Sequence, residues 1–347
     1  MNVVYSSSDS YCEICGISIL SLLENNKNVE DITVYLIDNH ISDLNKQKLI
    51  DMVSKYGRKL IFVNPPNIEE LAKTKINVGR WNISTFYRLF LPTILDESVD
   101  KVLFIDCDTI VLQDLSSLWN MDLEDKWLYG VDDCRSVEYR HNIGLQDDDN
   151  YINNGVLLID IDAWKKNNVE DMFIKFIHDY EGDITYVDQG VQNGVLSKMK
   201  RSGILHTKYN VLTIFFDFNY KNLIKLRRPP HPVSEEEYNE ATTTPAIVHF
   251  QSCFKSGKRP WVKGCKHPFV KDYLAYKAMS PWKDEPFRKD DRTFPQKVIN
   301  VIANILPQRF MVWSISILHR KVYPFFRNIK KSLKKGRKKK NEDTSSK

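Results

Sequence analysis

Short apolar runs alternate with helical periodicity through the first 105 residues, and this alternation limits the possible folds more than any other feature. Val3–Ser6 reads as a strand, and Ile14, Ile17, Leu20 and Leu23 then recur at the spacing of one helix face. Ile32–Ile37 (Ile-Thr-Val-Tyr-Leu-Ile) is a second strand, Asp43–Tyr56 a second helix, and Leu60–Val63 a third strand closed by Pro65-Pro66. Ser84–Leu91 predicts a further helix ending near Pro92, and Val102–Ile105 predicts the next strand. Strands separated by helices in this way form a largely parallel sheet with helices on both faces. The 347 residues, 42% of them hydrophobic, suffice for one large α/β domain or two smaller ones.

The middle of the chain is less regular. Trp127–Val131, Val156–Ile161 and Ala246–Phe250 predict strands, and Ala163–Tyr180 and Asp188–Met199 predict helices. Val211–Pro245 has a proline-rich centre (Arg228-Pro229-Pro230-His231-Pro232) and is expected to be loop for much of its length. These signals divide the chain into a globular domain at 1–283, a charged connector at 284–296 and an amphipathic, basic tail at 297–347.

Charge is unevenly placed. The chain has 50 basic and 45 acidic residues, but 11 of the basic ones and no acidic one lie between Arg320 and Lys340. The remainder carries 39 basic and 45 acidic residues, a net of −6, which argues against a nucleic-acid-binding globule. The apolar stretch Lys297–Leu318 is interrupted by Asn300, Asn304, Pro307, Gln308 and Arg309, so it lacks the run of roughly 18 apolar residues of a membrane span. Followed by Pro324-Phe325-Phe326 and the Lys/Arg run, it fits an interfacial segment on an anionic membrane surface. Met1-Asn2-Val3-Val4-Tyr5 enters a strand directly, with no signal peptide, so a cytoplasmic protein, peripheral on the inner face of the cell membrane, is expected. The six cysteines then read as free thiols, and Cys12-Glu13-Ile14-Cys15 has no second pair at zinc-finger spacing.

The run Lys101–Ile105 passes straight into Asp106-Cys107-Asp108. In extended backbone, residues i and i+2 point to one side, so both carboxylates can reach one cation from a strand tip. Hard oxygen ligands suit Mg²⁺ or Mn²⁺, completed by substrate phosphates. In open α/β sheets ligands bind beyond the carboxyl ends of the strands, where these two aspartates stand.

Four more features follow in order. The opening strand ends in Ser6-Ser7-Ser8-Asp9-Ser10-Tyr11; Tyr151-Ile152-Asn153-Asn154-Gly155-Val156-Leu157-Leu158-Ile159 joins amides to a strand; Asp188-Gln189-Gly190 opens a helix; and Ile247-Val248-His249-Phe250 ends a strand with an imidazole. With Ser84-Thr85-Phe86-Tyr87-Arg88-Leu89 ahead of the Asp-x-Asp, the set resembles the family-8 retaining glycosyltransferases over about residues 1–265. That family includes bacterial lipopolysaccharide galactosyl- and glucosyltransferases and glycogenin.

The resemblance implies a Rossmann-like nucleotide-diphospho-sugar transferase fold of GT-A type. It implies transfer of glucose or galactose from UDP-glucose or UDP-galactose to a glycan, glycolipid or glycoprotein acceptor, as in lipopolysaccharide biosynthesis. Asp106, Asp108 and His249 are then expected to hold the metal, with Mn²⁺ favoured over Mg²⁺ because imidazole is a ligand. Ser6, Ser7, Asp9 and Tyr11 are expected to line the uridine pocket. Arg88, Cys107, Asp132, Asn153, Gly257 and Lys258 are expected to contact the nucleotide-sugar, with Arg259 the alternative to Lys258 as phosphate cation. Gln189, Asp188 and Asn153 surround the transferred sugar. Gln189 is a poor nucleophile, so front-side attack is expected, with a covalent intermediate on Asp188 the alternative.

Two departures from the family pattern stand out. Ser8 and Ser10 replace a carboxylate and an amide, and the segment His249–Trp261 is longer than usual. They are the only support for a second reading, a catalytically impaired UDP-sugar-binding membrane scaffold.

Overall fold

The computed structural model describes residues 1–79 and 81–318. Its centre is a seven-stranded sheet in which four of the six neighbouring pairs are parallel. The strands are β1 (Asn2–Ser8), β2 (Thr33–Asn39), β3 (Lys59–Val63), β4 (Lys101–Ile105), β6 (Leu128–Asp132), β7 (Ile152–Asp160) and β8 (Ser202–Leu205), in the order β3-β2-β1-β4-β7-β6-β8. A small sheet joins β5 (Thr109–Val111), β10 (Ile247–His249) and β9 (Val211–Leu212). The expected α/β architecture is therefore present, with helices covering both faces.

Burial explains the sequence patterns. Val3, Val4 and Tyr5 on β1 are all inaccessible, because a parallel strand between two helical layers has no solvent face. Helix α1 (Cys12–Asn25) is buried on nearly every side, including Glu13, whose carboxylate is paired with Lys277 and Arg288. Helix α2 (Asp43–Ser54) starts where Ser42 accepts from the Asn45 N–H.

Two register facts place the site. β7 runs antiparallel to β4, so its amino end lies beside the carboxyl end of β4: Ile105 pairs with Val156, and the Asp106 N–H donates to the Gly155 carbonyl at 2.8 Å. β10 runs antiparallel to β5, setting His249 opposite Thr109, and the Phe250 N–H donates to the Asp108 carbonyl at 2.8 Å.

Some local expectations are corrected. Ser84–Leu91 is 3₁₀ rather than α, over Ile83–Phe90, and Pro92 opens the next short helix, where its missing N–H costs nothing. Ala163–Tyr180 is two helices broken at Asn168, which is left-handed (φ 50°). Val211–Pro245 is mainly helical, with Thr213–Asp217, Tyr220–Arg227 and Glu235–Thr243 packed through Phe215, Leu223 and Tyr238. The prolines fall between these helices.

Segment 284–296 is held against the body. Arg288 pairs with Glu13, and the Arg288 N–H donates to the Trp261 carbonyl at 2.8 Å. Helices Phe294–Ile305 and Gln308–Ile317 bury Ala303, Met311 and Val312 but leave Phe294, Ile305, Phe310 and Trp313 more than half exposed. No helix among the described residues is long and apolar enough to cross a membrane. The Pro324-Phe325-Phe326 motif and the Lys/Arg run lie outside the described residues.

His267 supplies a prediction about stability. It is packed among Phe216, Phe250 and Phe269, its Nδ1 accepts from the Phe269 N–H, and its Nε2 has no partner. Burial lowers its pKa to about 4. The unfolded chain, with an ordinary histidine near 6.5, binds the proton more readily, so stability present above that pH is lost as pH falls towards 4. Wild type is expected to lose about 1.4 kcal/mol more than His267→Leu between pH 7.5 and 5.5, read from urea midpoints. Equal acid slopes would refute this origin.

Candidate functional site

The carboxyl ends of β1 and β4, the amino end of β7 and the end of β10 open into one cavity of about 720 Å³. The ligand atoms of Asp106, Asp108 and His249 all lie within 4.8 Å of one another. His249 Nε2 is 3.1 Å from Asp108 Oδ1 and 4.0 Å from Asp106 Oδ2.

The hydrogen-bond network assigns the imidazole tautomer. Asn153 Oδ1 accepts from the Gly155 N–H at 2.9 Å and from Asn210 Nδ2 at 2.9 Å. That orients the Asn210 amide with Oδ1 toward His249 Nδ1, at 3.0 Å. Nδ1 therefore donates to Asn210, and Nε2 is the nitrogen that faces the carboxylates and would be offered to a cation once it gives up its proton. Gly155 is required here, because a Cβ on it would collide with the His249 ring. Two carboxylates and an oriented imidazole fit a divalent cation that accepts oxygen and nitrogen ligands. Burial raises the Asp108 pKa, but His249 and Arg259 outweigh it and hold the group at about 2. Burial dominates at Asp106, whose pKa is raised despite Arg88 and His249.

Arg88 joins this trio to the rest of the cavity. Its Nη2 lies 2.8 Å from Asp106 Oδ1 and its Nε 3.2 Å from Asp188 Oδ2; it also donates to the Asn154 carbonyl and stacks on Phe104. Successive side chains of β7 serve different partners. Asn154 Nδ2 donates to Asp188 Oδ2 at 2.9 Å, whereas Asn153 Nδ2 faces Asp133 Oδ1 at 3.3 Å and Gln189 Oε1 at 3.4 Å. Gln189 Nε2 donates to Asp133 Oδ2 at 3.0 Å.

The turn before Asp188 is strained: Tyr186 (φ 60°) and Val187 (φ 44°) are both left-handed, an unfavourable conformation for a β-branched residue. Gly190 follows because a Cβ there would strike the Thr185 carbonyl.

Ser6, Ser7, Tyr11, Arg88, Asp106, Cys107, Asp108, Asn153, Asp188, Gln189, His249 and Gly257 all line this cavity. Three expected residues do not. Asp9 turns outward to accept from the Ser42 N–H and Asn45 Nδ2, both at 2.8 Å. Asp132 accepts from the Cys134 N–H at 2.6 Å and pairs with Arg140, and the next residue, Asp133, faces the cavity instead. Lys258 donates to the Lys263 carbonyl, while Arg259, stacked on Trp261, reaches Tyr11 at 3.0 Å and Asp108 at 3.4 Å.

Asp133, Arg135, Asn154, Tyr186, Asn210 and Arg227 also belong to the site or its support, and sequence reasoning did not select them. Only Asn154 lies inside one of the motifs above, and Asp133 directly follows the expected Asp132. The other four sit in segments whose pattern reads as ordinary turn or helix.

The family model of Glycosyl transferase family 8 matches residues 2–264. The chain belongs to glycosyltransferase family 8. General stress protein A of Bacillus subtilis is 30% identical over 286 residues, covering 81% of this chain and 94% of that protein. Lipopolysaccharide 1,2-glucosyltransferase of Escherichia coli K12 is 23% identical over 291 residues, covering 82% and 80%. The crystal structure of galactosyltransferase LgtC with donor and acceptor sugar analogs matches with a TM-score of 0.67 at 24% identity, over 81% of this chain and 96% of that one. The fold is thus of GT-A type, and this family-8 member is a hexosyltransferase with a nucleotide-sugar donor and a glycan acceptor.

Proposed function

We propose that this protein transfers glucose or galactose from a UDP-sugar, with retention, to a cell-surface glycan or lipopolysaccharide-type acceptor at the cytoplasmic face of the membrane. The observation that carries this reading is the Asp106–Asp108–His249 trio coupled through Arg88 to Asp188 and Asn154. Mn²⁺ fits the mixed oxygen and nitrogen donors better than Mg²⁺. A bound divalent cation offsets charge developing on the departing diphosphate.

The chain's own groups do the rest. Ser6, Ser7 and Tyr11 shape the nucleotide end, and Arg259, beside Tyr11 and Asp108, presents a cation to the diphosphate. Asn153 and Gln189, cross-linked through Asp133, position the transferred sugar. Asp188 is 5% exposed and engaged by Arg88 and Asn154, so its carboxylate is not free to attack the anomeric carbon. This supports front-side attack, in which a leaving-group phosphate oxygen takes the acceptor proton.

UDP release from a panel of UDP-sugars, with Mn²⁺, Mg²⁺ or chelator, tests the reading. Metal-dependent release from one donor is the expected result. UDP binding without release from any donor, acceptor glycans included, would favour a scaffold.

The exposed faces of the two last helices and the basic sequence after Leu318 support peripheral membrane contact. Deleting residues 319–347 removes 12 basic (Lys/Arg) and 2 acidic residues, each cation near an anionic surface being worth about 1 kcal/mol. Binding to phosphatidylserine vesicles is expected to fall at least about 100-fold, read by co-sedimentation. Unchanged sedimentation would overturn the tail's role.

A further inference from the structure

Five arginines among the described residues line the cavity: Arg88, Arg135, Arg227, Arg259 and Arg292. Three are fully engaged. Arg88 holds Asp106, Asp188 and the Asn154 carbonyl; Arg259 holds Tyr11, Asp108 and Asp291; Arg292 holds Asp290 and Asn300.

The other two are different. Arg135 uses only Nε, which donates to Asp133 Oδ2 at 2.8 Å. Its guanidinium packs against the Tyr139 and Tyr186 rings, 5.2 and 4.8 Å from their centroids, and the side chain is 11% exposed. Neither terminal nitrogen of Arg135 donates to a group among the described residues. Arg227, the last residue of helix Tyr220–Arg227, makes no side-chain hydrogen bond or ion pair with the described residues. Burial and then the like charge of Arg135 lower its pKa. A helix carboxyl end favours a cation, but the exposed neighbour Arg228 can supply that charge from solvent. Asp133 offsets one of the two charges, so the pair keeps one surplus positive charge and unfilled donors facing the cavity, an arrangement suited to a further anion.

Position identifies which substrate brings it. Asp133 Oδ2 accepts from both Gln189 Nε2 and Arg135 Nε, while Asn153 and Asn210 link Asp133 to His249, so the sugar-positioning amides stand between the metal-binding trio and Arg135. We infer that Arg135 and Arg227 form an anion subsite at the acceptor end of the cavity, and that the acceptor is a glycan bearing a phosphate or carboxylate near the hydroxyl that receives the hexose. The term acceptor rests on the transferase reading above. A guanidinium fork suits either oxyanion.

Ligand-observed NMR titration of the full chain, with UDP and Mn²⁺ present, tests the subsite using glucose, glucose 6-phosphate and glucuronic acid. An anionic sugar is expected to bind at least about tenfold tighter than glucose. Which anion shows the preference distinguishes a phosphate from a carboxylate source. Arg227→Gln is expected to erase most of that preference, and Arg227→Lys to restore part of it. Equal binding of neutral and anionic sugars by wild type would overturn the subsite. So would a preference that survives Arg227→Gln, or an equal loss for all three sugars, which marks a structural role. UDP binding is read separately: if UDP does not bind, the donor reading fails, and the same titration without UDP still decides the subsite.

Discussion

Asp108→Ala is expected to lower metal-dependent UDP release about 10³-fold while the protein stays folded. The side chain is 18% exposed, and its loss leaves His249 bonded to Asn210 and leaves Arg259 with Tyr11 and Asp291. No buried charge is stranded, so the thermal midpoint should change little. In the proposed metal site, removing one of three ligands would abolish the clamp on the diphosphate, because Asp106 is already shared with Arg88. The decisive readout is the ratio of release with Mn²⁺ to release with chelator. Wild type should show a large ratio and the variant a ratio near one. A variant that keeps the wild-type ratio would remove Asp108 from the metal site.

The parts of this architecture that were legible are those set by periodicity and chain order. β1, β2 and β4 carry apolar runs because both faces of these central strands are covered, whereas β3 at the sheet edge is only partly buried; α2 shows one apolar stripe and α1 is buried nearly all round. Asp106 and Asp108 could be placed at a strand end because strand length and the next polar residues are local facts. Their meeting with His249 could not be derived that way. It depends on an antiparallel pairing between β5 and β10, whose sequences are more than 130 residues apart, and only the ordered family motifs brought these residues together.

Errors at single residues have local geometric causes. A register shift in β6 between Gly130 and Asp132 changes the parity of the strand, which helps to explain why Asp133 and not Asp132 meets Gln189. Asp9 sits in a 3₁₀ turn that directs it to the start of α2. Arg259 rather than Lys258 reaches Asp108 because stacking on Trp261 fixes a planar guanidinium, a contact that an ammonium makes less well. The basic pair Arg135 and Arg227 gave no sequence signal, since each follows an ordinary turn or helix pattern.

Arg88→Met tests how the site and the fold are coupled. Arg88 is 6% exposed and neutralises two carboxylates on separate elements, the half-buried Asp106 beyond β4 and the buried Asp188 in the helix Val187–Gln192. Methionine keeps much of the volume and removes the charge, leaving both carboxylates without their cation. Breaking a buried pair from one side costs about 3–5 kcal/mol, so the variant is expected to unfold at clearly lower urea concentration. The pH dependence identifies the cause. Burial already raises the pKa of Asp188 and Asp106, opposed by Arg88, and without the guanidinium both should rise further. A group whose folded pKa lies above its unfolded value contributes stability at low pH and loses it as pH rises through the folded pKa. The penalty of Arg88→Met relative to wild type is therefore expected to be smaller at pH 5 than at pH 8, in metal-free buffer. Added Mn²⁺ should recover part of the loss at pH 8 by binding Asp106 and leave the share due to Asp188. A penalty independent of both pH and metal would mean that Arg88 acts through packing on Phe104 and its bond to the Asn154 carbonyl, and not through the two carboxylates.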